Sequence, residues 1–457
     1  MILTATAILL GLLPLFFYVF IPVLHDLPHR HYKQKKIMII VIGPLIRSPR
    51  MLNHIKSFLV NGFEVEVVGQ ADSDELKDLE LKFSNFLKNE EENLHFNIIN
   101  NKKVAGSKLG LITKVLNQFS ELLLIFWKLR SCDYVLMQNP PSIPLLPLLI
   151  LSKIFFSWKI IIDWHNFGYS ILALKFKNDK ALFVRVYYFI EIFFGKFADY
   201  HLTVTHKMKT LLIETWKIKN NEFKKGRISV LHDKPDSQFY PVDKSDRAAI
   251  IKAIPELAAD TDLLQNINKY TIAITSTSFT PDEDLDMLLN AMDALNKQLL
   301  IAKKHLLLII TGKGPLKQEF MKKFKDKTCD LNYITVNFFY LKIQDYPKIL
   351  QVSDFGLSLH YSSSGVDLPM KVLDMFGCGL PCLSYYYPTV EEELIQIGVT
   401  GDVFKNETEL SSKIFNLIVE ETKREEMKAN VIADLKNGDR WIDSWLKSFK
   451  GDLNIVR

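Results

Sequence analysis

Short apolar runs recur along this chain, and most of them end in a turn residue and lead into a helical pattern. The first run, IMIIVI over 37–42, ends at Gly43, and a helical pattern starts near Pro49. A buried β-branched strand followed by a helix and a second strand is the unit of a doubly wound parallel sheet. The chain is therefore predicted to be an α/β protein. Further strands are predicted at 64–68, 134–137, 159–162, 201–205, 271–275, 305–311, 333–339, 354–360 and 382–385.

This strand–helix rhythm is interrupted once, by a polar stretch from about residue 233 to 265. A chain of 457 residues is too long for one core and suits two domains of about 200 residues each. We predict two Rossmann-like domains facing a cleft, 36–235 and 265–437, with ligands bound where the strands end. Residues 438–457, which include Trp441 and Trp445, are predicted to form a helix that crosses back.

The N-terminus carries an apolar run without charges, from Ile2 to Leu24. As a helix it would be about 34 Å long, enough to cross about 30 Å of hydrocarbon. A cleaved signal peptide is the alternative, but no cation precedes the run and no small-x-small site follows it. We predict an uncleaved transmembrane signal-anchor over 1–24. Four cations follow it, which predicts that the body of the chain lies in the cytosol: Arg30, Lys33, Lys35 and Lys36.

Charge and cysteine usage exclude two other classes of protein. The formal net charge is only +5, with cations scattered among acids, whereas a nucleic-acid binder carries a basic stripe. No cluster of His or Cys residues near the four cysteines completes a tetrahedral metal site, so buried thiols in a reducing compartment are favoured over a metal site. They are Cys132, Cys329, Cys378 and Cys382.

The densest group of turn formers and polar residues is SSSGVDLPMK over 362–371. At a helix start, Ser364 and Gly365 would leave backbone N–H groups free to bind a diphosphate, and Lys371 adds a cation. Asp374, further along the helix, is placed to accept hydrogen bonds from a ribose diol. The earlier TGKGP stretch, 311–315, adds Lys313 and Gly314 after a strand, although by itself it fits a simple turn.

These motifs resemble a known family. LPMK-x-x-DM followed by G-x-G-x-P, over 368–381, looks like the nucleotide-sugar signature of GT-B glycosyltransferases. Together with 276–284, 311–315, 138–142 and 163–166, it is similar to the chitobiosyldiphosphodolichol β-mannosyltransferases, over nearly all of residues 1–450. The resemblance implies a GT-B fold and transfer of mannose, with inversion, from GDP-mannose to dolichol-linked chitobiose diphosphate (GlcNAc2-diphosphodolichol).

The same resemblance implies where the protein works and with what. It implies the endoplasmic reticulum membrane, a single membrane pass with the catalytic body in the cytosol, and neighbouring glycosyltransferases of the same pathway as candidate partners. No cofactor and no metal are expected. Two alternatives stay open: a GT-B enzyme with another donor or lipid acceptor, and a non-catalytic scaffold paralogue.

An inverting transfer needs a base for the acceptor hydroxyl. In the sequence DWHN over 163–166, His165 is the first candidate, with Asp163 orienting it; a purely structural histidine is the alternative. Arg47, Ser48, Arg50 and Asn166 are predicted to bind the acceptor.

The loop over 43–50 departs from the family, which usually has Gly-Asp-x-Gly-Arg-Ser-Pro-Arg there. Here Pro44 replaces the acid and Ile46 the second glycine. If the family's Asp were the base, this chain would be weak or inactive; our hypothesis is that it acts through His165.

Two aromatic and aliphatic stretches, 145–156 and 183–197, hold much of the chain's aromatic surplus. Core burial is the default expectation for most of these residues. An amphipathic surface lying in the plane of a membrane is the alternative hypothesis.

Overall fold

The computed structural model describes residues 34–87, 93–99, 108–218, 227–243, 245–327, 331–342 and 344–456. They form two compact units, one reaching Leu231 and including Ile442–Arg457, the other spanning His232–Trp441. The predicted anchor, 1–24, and Cys329 lie outside the described residues. Within the described ranges, no helix is both long and apolar enough to span a bilayer. The other three cysteines are buried free thiols.

The first unit is built on a seven-stranded parallel sheet with the strand order β3-β2-β1-β4-β5-β6-β7. Its central strands are almost wholly buried, because helices cover both faces of a parallel sheet. Its strands are β1 (Lys36–Pro44), β2 (Glu64–Gln70), β3 (Leu94–Ile98), β4 (Tyr134–Asn139), β5 (Lys159–Trp164), β6 (Tyr200–Thr203) and β7 (Arg227–Val230).

Each strand of this sheet before β7 is followed by at least one helix that crosses over to the next parallel strand. These helices are α1 (Pro49–Val60), α2 (Ser73–Leu87), α3 (Lys108–Lys128), α4 (Leu145–Ser152), α5 (Gly168–Phe176), α6 (Leu182–Gly195) and α7 (His206–Glu214).

The second unit has a six-stranded parallel sheet with the order β10-β9-β8-β11-β12-β13. This is the strand order of a Rossmann sheet. Its strands are β8 (Tyr270–Ser276), β9 (His305–Thr311), β10 (Ile334–Phe339), β11 (Phe355–Ser358), β12 (Cys382–Tyr385) and β13 (Gly401–Phe404).

The helices of this unit include three short ones that precede the sheet. They are α8 (Arg247–Lys252), α9 (Pro255–Ala258), α10 (Thr261–Asn266), α11 (Leu285–Ala302), α12 (Lys317–Lys327), α13 (Tyr346–Val352), α14 (Met370–Gly377), α15 (Pro388–Glu393), α16 (Glu407–Val419) and α17 (Glu421–Asn437).

The prediction of two Rossmann-like doubly wound sheets is confirmed. Strand order reverses between β1 and β4 in the first sheet and between β8 and β11 in the second. Ligands of such sheets bind in the crevice outside the carboxyl ends of the strands at this point. Each unit therefore has one edge at which a site is expected.

The C-terminal segment includes helix α18 (Trp441–Leu446), and from Ile442 onward it belongs to the first unit. Trp445 is fully buried and stacks on Phe449 with the ring centroids 4.3 Å apart. Its ring also meets the edge of Phe58 from α1, at 4.9 Å. This aromatic cluster fixes the chain end against α1, the helix that follows the first strand.

The two apolar stretches differ in burial. Six of the eight residues of α4 are buried, so the expectation of core burial holds there. On α6 it is wrong, since only Val184, Glu191 and Gly195 are buried along the whole helix.

Candidate active site

The carboxylate of Asp163 is the centre of a buried polar cluster in the first unit. Asp163 is the fifth residue of β5 and is fully buried. Arg50 of α1 forms a two-pronged ion pair with it, Nε to Oδ2 and Nη2 to Oδ1, both at 2.8 Å. Burial raises the pKa of Asp163, but Arg50 and the neighbouring histidines outweigh it and hold that pKa well below its usual range. Asp163 is therefore ionised.

His54, one helical turn after Arg50, is held in a single neutral tautomer. The indole N–H of Trp445 donates to its Nδ1 at 3.0 Å, and an indole nitrogen is only a donor. The proton of His54 must then sit on Nε2, which lies 3.2 Å from Oδ2 of Asp163. Burial lowers the pKa of His54, in agreement with a neutral ring. His54 thus positions the carboxylate from one side.

His165 is the part of this cluster that reaches solvent. It follows β5 directly, and its side chain is 24% exposed, whereas Asp163 and His54 are closed off. Its Nε2 lies 2.9 Å from Oδ2 of Asp163, which is the predicted orienting contact. If Nε2 carries the proton, the lone pair of Nδ1 is left to accept one. This is the arrangement of an oriented general base, and the catalytic role of His165 stays a prediction.

The four residues that were predicted to bind the acceptor lie in different surroundings. Arg50 is only 3% exposed and also donates to the carbonyl of Leu231 at 2.9 Å, so its position argues against a role in binding acceptor phosphate. Ser48 is half-buried and precedes α1, whereas the side chain of Arg47 lies outside the described part of the structure. Asn166 uses its side-chain oxygen to accept the N–H of Phe167 at 2.7 Å.

The altered loop is accommodated without strain at its two replaced positions. Pro44 ends β1 at φ −63°, the angle its ring imposes. Ile46 lies in a short 3-10 turn and is absent from the residues with positive φ. The loop therefore does not need the glycine and the free N–H that the family usually has there.

The carboxylate of Glu191 from α6 occupies the N-terminus of α5, where an anion could otherwise bind. This buried carboxylate accepts the backbone N–H groups of Gly168 and Tyr169, at 2.8 and 3.2 Å, and the side chains of Asn139 and Ser142. Burial raises the pKa of this carboxyl. The N-terminus of α5 is therefore already capped by a protein carboxylate, and the loop after β4 is fixed to it.

In the second unit, the helix start differs from the prediction. Helix α14 begins at Met370, with Pro369 before it, so Gly365 lies in the preceding loop and Lys371 is the second helical residue. Gly365 has φ +74°, which favours glycine, and its N–H donates to Ser362 Oγ at 2.7 Å. Ser364 Oγ lies 3.3 Å from Oδ1 of Asp367. The predicted free amides at 364–365 are thus partly used within the loop, and the helix N-terminus at Met370 is the better anion site.

Lys371 is held at this N-terminus by a buried carboxylate. Its ammonium forms an ion pair with Glu283, which is 7% exposed. Glu283 is fixed in turn by Thr277 Oγ1 and by the N–H of Ser278, the latter at 2.9 Å. These residues follow β8 at the point where the strand order reverses. The ion pair with Glu283 thus holds the ammonium of Lys371 in one position at the start of α14.

His360 supplies a second positive charge at the same edge. It follows β11, and its two ring nitrogens lie 3.2 Å from Asp282 and 3.3 Å from Asp367. Burial lowers its pKa, but the two carboxylates outweigh this and raise the pKa to about 9. Burial raises the pKa of Asp282, but the hydrogen bond and charge of His360, together with a hydrogen bond from Thr280, outweigh it and lower the pKa to about 2. His360 is therefore an imidazolium at neutral pH.

Asp374, the predicted ribose ligand, lies on α14 one turn after Lys371. Burial, together with the charges of Asp236 and Asp233, raises its pKa to about 8. A carboxyl that is largely protonated at neutral pH can donate one hydrogen bond and accept another, which matches a diol.

Two glycines allow the loops after β8 and β9 to touch. Gly312 has φ +132°, and a Cβ there would lie 1.9 Å from the carbonyl oxygen of Thr277. A Cβ on Gly314 would lie 1.6 Å from that of Ser278. Lys313, between them, is exposed, with its ammonium 5.3 Å from the ring centre of Tyr340. The stretch is thus more than a turn, because it packs against the residues that fix Glu283.

Gly314→Ala is expected to lower the free energy of unfolding of this unit by about 1–3 kcal/mol, because overpacking forces backbone to move. Thermal or denaturant unfolding measures it. Gly451→Ala, in the C-terminal segment of the first unit, is the control for a glycine with free space, since a Cβ there meets nothing within 4 Å. Equal stability of the two variants would contradict the packing described here.

The raised pKa of His360 makes stability depend on pH. A group whose folded pKa lies above its unfolded value, about 6.5, stabilises fully below that pH and loses its contribution as pH rises through about 9. Wild-type unfolding free energy is therefore expected to fall between these values, and His360→Gln is expected to flatten the slope. An unchanged slope in the variant would show that another group titrates.

Sequence reasoning missed His54 altogether and predicted Arg50 without its ion pair to Asp163. Arg50 and His54 lie four residues apart on the first helix after a strand, a spacing that places both on one face. No site role was predicted for the acidic run at 282–284, which lies in the family-like stretch 276–284. Asp284 caps α11, accepting the N–H of Met287 at 3.0 Å, whereas Asp282 and Glu283 form ion pairs with His360 and Lys371.

Comparison with known proteins adds the family. The profile described as "Glycosyl transferases group 1" matches residues 248–434. Among solved structures, Anabaena HepE in complex with UDP and glucose is similar with a TM-score of 0.62, at 14% identity over 91% of this chain and 98% of that one. Sucrose-phosphate synthase from Thermosynechococcus elongatus also gives 0.62, at 12% identity over 92% and 99%. At these identities the likeness shows the fold alone, GT-B.

Sequence relatives are much closer. A Kluyveromyces lactis protein named chitobiosyldiphosphodolichol beta-mannosyltransferase is 41% identical over 94% of this chain and 93% of its own length. The Dictyostelium discoideum protein of the same name is 30% identical over 90% and 92%. The predicted resemblance is thus confirmed over nearly the full length, and the chain belongs to the chitobiosyldiphosphodolichol beta-mannosyltransferase family of glycosyltransferases.

Proposed function

We propose that this chain transfers mannose from GDP-mannose to the terminal GlcNAc of GlcNAc2-diphosphodolichol, with inversion. The observation that carries the proposal is the 41% identity with a relative of that name over 94% of the chain. The oriented His165 and the positioned Lys371 support it, since an inverting transfer needs both a base and stabilisation of the leaving diphosphate.

In the first half of the reaction, the oxygen of the acceptor hydroxyl attacks the anomeric carbon of the donor mannose, and Nδ1 of His165 accepts the hydroxyl proton. Asp163 holds the ring through Nε2, and stabilises the imidazolium that forms. Arg50 and His54 keep the carboxylate in place. The attack on the face opposite the leaving group inverts the configuration.

In the second half, the bond to the diphosphate breaks and negative charge grows on GDP. The backbone N–H groups at the start of α14 and the ammonium of Lys371 stabilise that charge. The imidazolium of His360 adds to the positive potential at this edge. Asp374 is assigned to the ribose, and Lys313 with Gly314 to the phosphates.

The proposal places the protein at the endoplasmic reticulum membrane, held by residues 1–24 with the body in the cytosol. It rests on the uncharged N-terminal run and the cations that follow it. Neighbouring glycosyltransferases of the same pathway are the proposed partners. The membrane location and orientation need the full chain, so an epitope-accessibility assay in sealed microsomes is the appropriate test.

Incubation of the purified full chain with radiolabelled GDP-mannose and a GlcNAc2-diphospho-lipid tests the reaction. A lipid-linked trisaccharide is expected, and unlabelled GDP should compete better than UDP. Folded protein that binds UDP in preference would point to a different donor. Folded protein that binds GDP but gives no product would favour the non-catalytic scaffold.

Turnover is expected to survive EDTA. The charge on the leaving diphosphate is assigned here to Lys371 and backbone amides, so no step is routed through a metal ion. The rate of trisaccharide formation with and without the chelator measures this. A rate that falls on chelation and returns with Mg²⁺ or Mn²⁺ would contradict the assignment.

A further inference from the structure

An apolar stripe runs along the outer face of α6 and one residue past its C-cap. Its members follow one another at intervals of three or four residues, the spacing that places side chains on one helix face. The stripe consists of Leu182, Val186, Phe189, Phe193 and Phe197, which are between 44 and 72% exposed. Monomeric proteins expose single apolar side chains routinely, but a continuous row of this kind marks an interaction surface.

The stripe is ordered by its own contacts. Phe189 stacks on Phe193 with ring centroids 5.3 Å apart, and Phe193 meets Phe197 at 5.4 Å. The opposite face of α6 is fixed by the buried Glu191, which caps α5. The aromatic row is therefore presented outward by a rigid helix and is not waiting to fold into the core.

Helices α4 and α5, which both pack against α6, extend the apolar character of this side. Phe176 ends α5 and is half exposed, and Ile154, just after α4, is more exposed still. The three helices α4, α5 and α6, with the residues that follow them, thus leave apolar side chains exposed to solvent.

The charges around the stripe are predominantly positive. Between residues 168 and 197 the only acids are Asp179 and the buried Glu191. Five cations in the same range are all exposed, namely Lys175, Lys177, Lys180, Arg185 and Lys196. Long cationic side chains beside an aromatic and aliphatic row are the composition of a helix that lies in a membrane interface.

We propose that this face of α5 and α6 docks on the surface of a lipid bilayer that carries anionic headgroups. The stripe enters the headgroup–acyl boundary, and the five cations contact lipid phosphates and carboxylates. A second copy of the chain fits the face poorly, because a symmetric contact would bring the same five cations together. The docking is independent of residues 1–24 and adds a membrane contact on the first unit itself.

Site-specific photocrosslinking in the full chain tests this directly. Phe189 is replaced with p-benzoylphenylalanine, and the protein is incorporated into vesicles of phosphatidylcholine with a minority of phosphatidylserine. Ile301, an exposed apolar residue of α11 in the second unit, receives the same substitution as the matched control. After illumination, mass spectrometry identifies adducts of one phospholipid.

Lipid adducts are expected at position 189 and not at 301. The combined variant Lys177→Glu/Arg185→Glu is expected to lower the adduct yield at 189 by at least about fivefold in phosphatidylserine vesicles, with less effect in pure phosphatidylcholine. All four positions are exposed, so thermal unfolding should be unchanged and verifies that folding is intact.

Three outcomes overturn the proposal. Equal lipid adducts at 189 and 301 would show that contact is unspecific. Crosslinks from 189 to protein, whether a second copy or an acidic partner, would make the stripe a protein interface. Lipid adducts at 189 whose yield depends neither on the charge reversal nor on phosphatidylserine would refute the proposed docking on anionic headgroups.

Discussion

Asp163→Ala is expected to lower the free energy of unfolding of the first unit by about 3–5 kcal/mol, the range found when one partner of a buried ion pair is removed. Its carboxylate is fully buried and is bound by Arg50, His54 and His165 at 2.8 to 3.2 Å. Without it, the guanidinium of Arg50, 3% exposed, loses both bonds to its counter-charge. The variant should also lose activity, because His165 loses its orienting contact.

Two controls separate the buried charge from other causes. Asp286→Ala removes one of the two acidic partners of Lys323, 3.0 Å away, and both side chains are about half exposed, so a far smaller change is expected. The double variant Arg50→Met/Asp163→Leu removes both charges and should be more stable than Asp163→Ala alone. Denaturant unfolding followed by Trp fluorescence measures all three. A double variant less stable than the single one would mean that Arg50 is held by its other contacts.

The sequence was sufficient for the interior of both sheets. Strands such as 37–42 and 305–311 are short, apolar and bounded by turn residues, because helices bury both of their faces. The three strands that were not predicted, β3, β7 and β13, all lie at sheet edges. They are four or five residues long and mix polar with apolar side chains, since an edge strand is only partly covered. Nothing in such a segment distinguishes it from a loop before its neighbour is known.

The site was predicted where its residues are neighbours in sequence and missed where they are not. Asp163 and His165 are two positions apart, and their contact was expected. Arg50 and Trp445 reach the same cluster from far along the chain, through helix packing that no local pattern specifies. The misplaced helix start has a local cause: Ser362 to Asp367 form a hydrogen-bonded loop whose serines and aspartate also suit a helix cap.

Lys371→Ala is expected to lower kcat/KM for GDP-mannose by at least about tenfold, a lower bound set below the roughly 100- to 1,000-fold that loss of one preorganised oxyanion donor costs. The ammonium is fixed by Glu283 at the second residue of α14, where the helix dipole also favours negative charge. Because charge on the diphosphate grows as the sugar bond breaks, most of the loss should fall on kcat and less on GDP affinity.

Lys371→Ala has two effects, because it removes a cation from the site and also leaves the buried carboxylate of Glu283 without its partner. Two further variants separate these effects. Glu283→Gln keeps the lysine and its hydrogen-bonding shape, and the double variant Lys371→Met/Glu283→Gln has neither charge. If Lys371 acts on the diphosphate, the double variant should be as slow as Lys371→Ala although its stability recovers. If the lysine only neutralises Glu283, the double variant should regain activity together with stability.

Lys327→Ala serves as the matched control, because this exposed lysine of the same unit also has one side-chain partner, Asn290 at 2.6 Å, and lies at the far end of α12. Its kinetics should match the wild type. Calorimetric titration with GDP, beside the kinetics, separates ground-state binding from catalysis for each variant. A Lys371→Ala enzyme with wild-type kcat and wild-type GDP affinity would place the diphosphate elsewhere in the second unit, and the assignment of Asp374 and Gly314 to the donor would lose its anchor point.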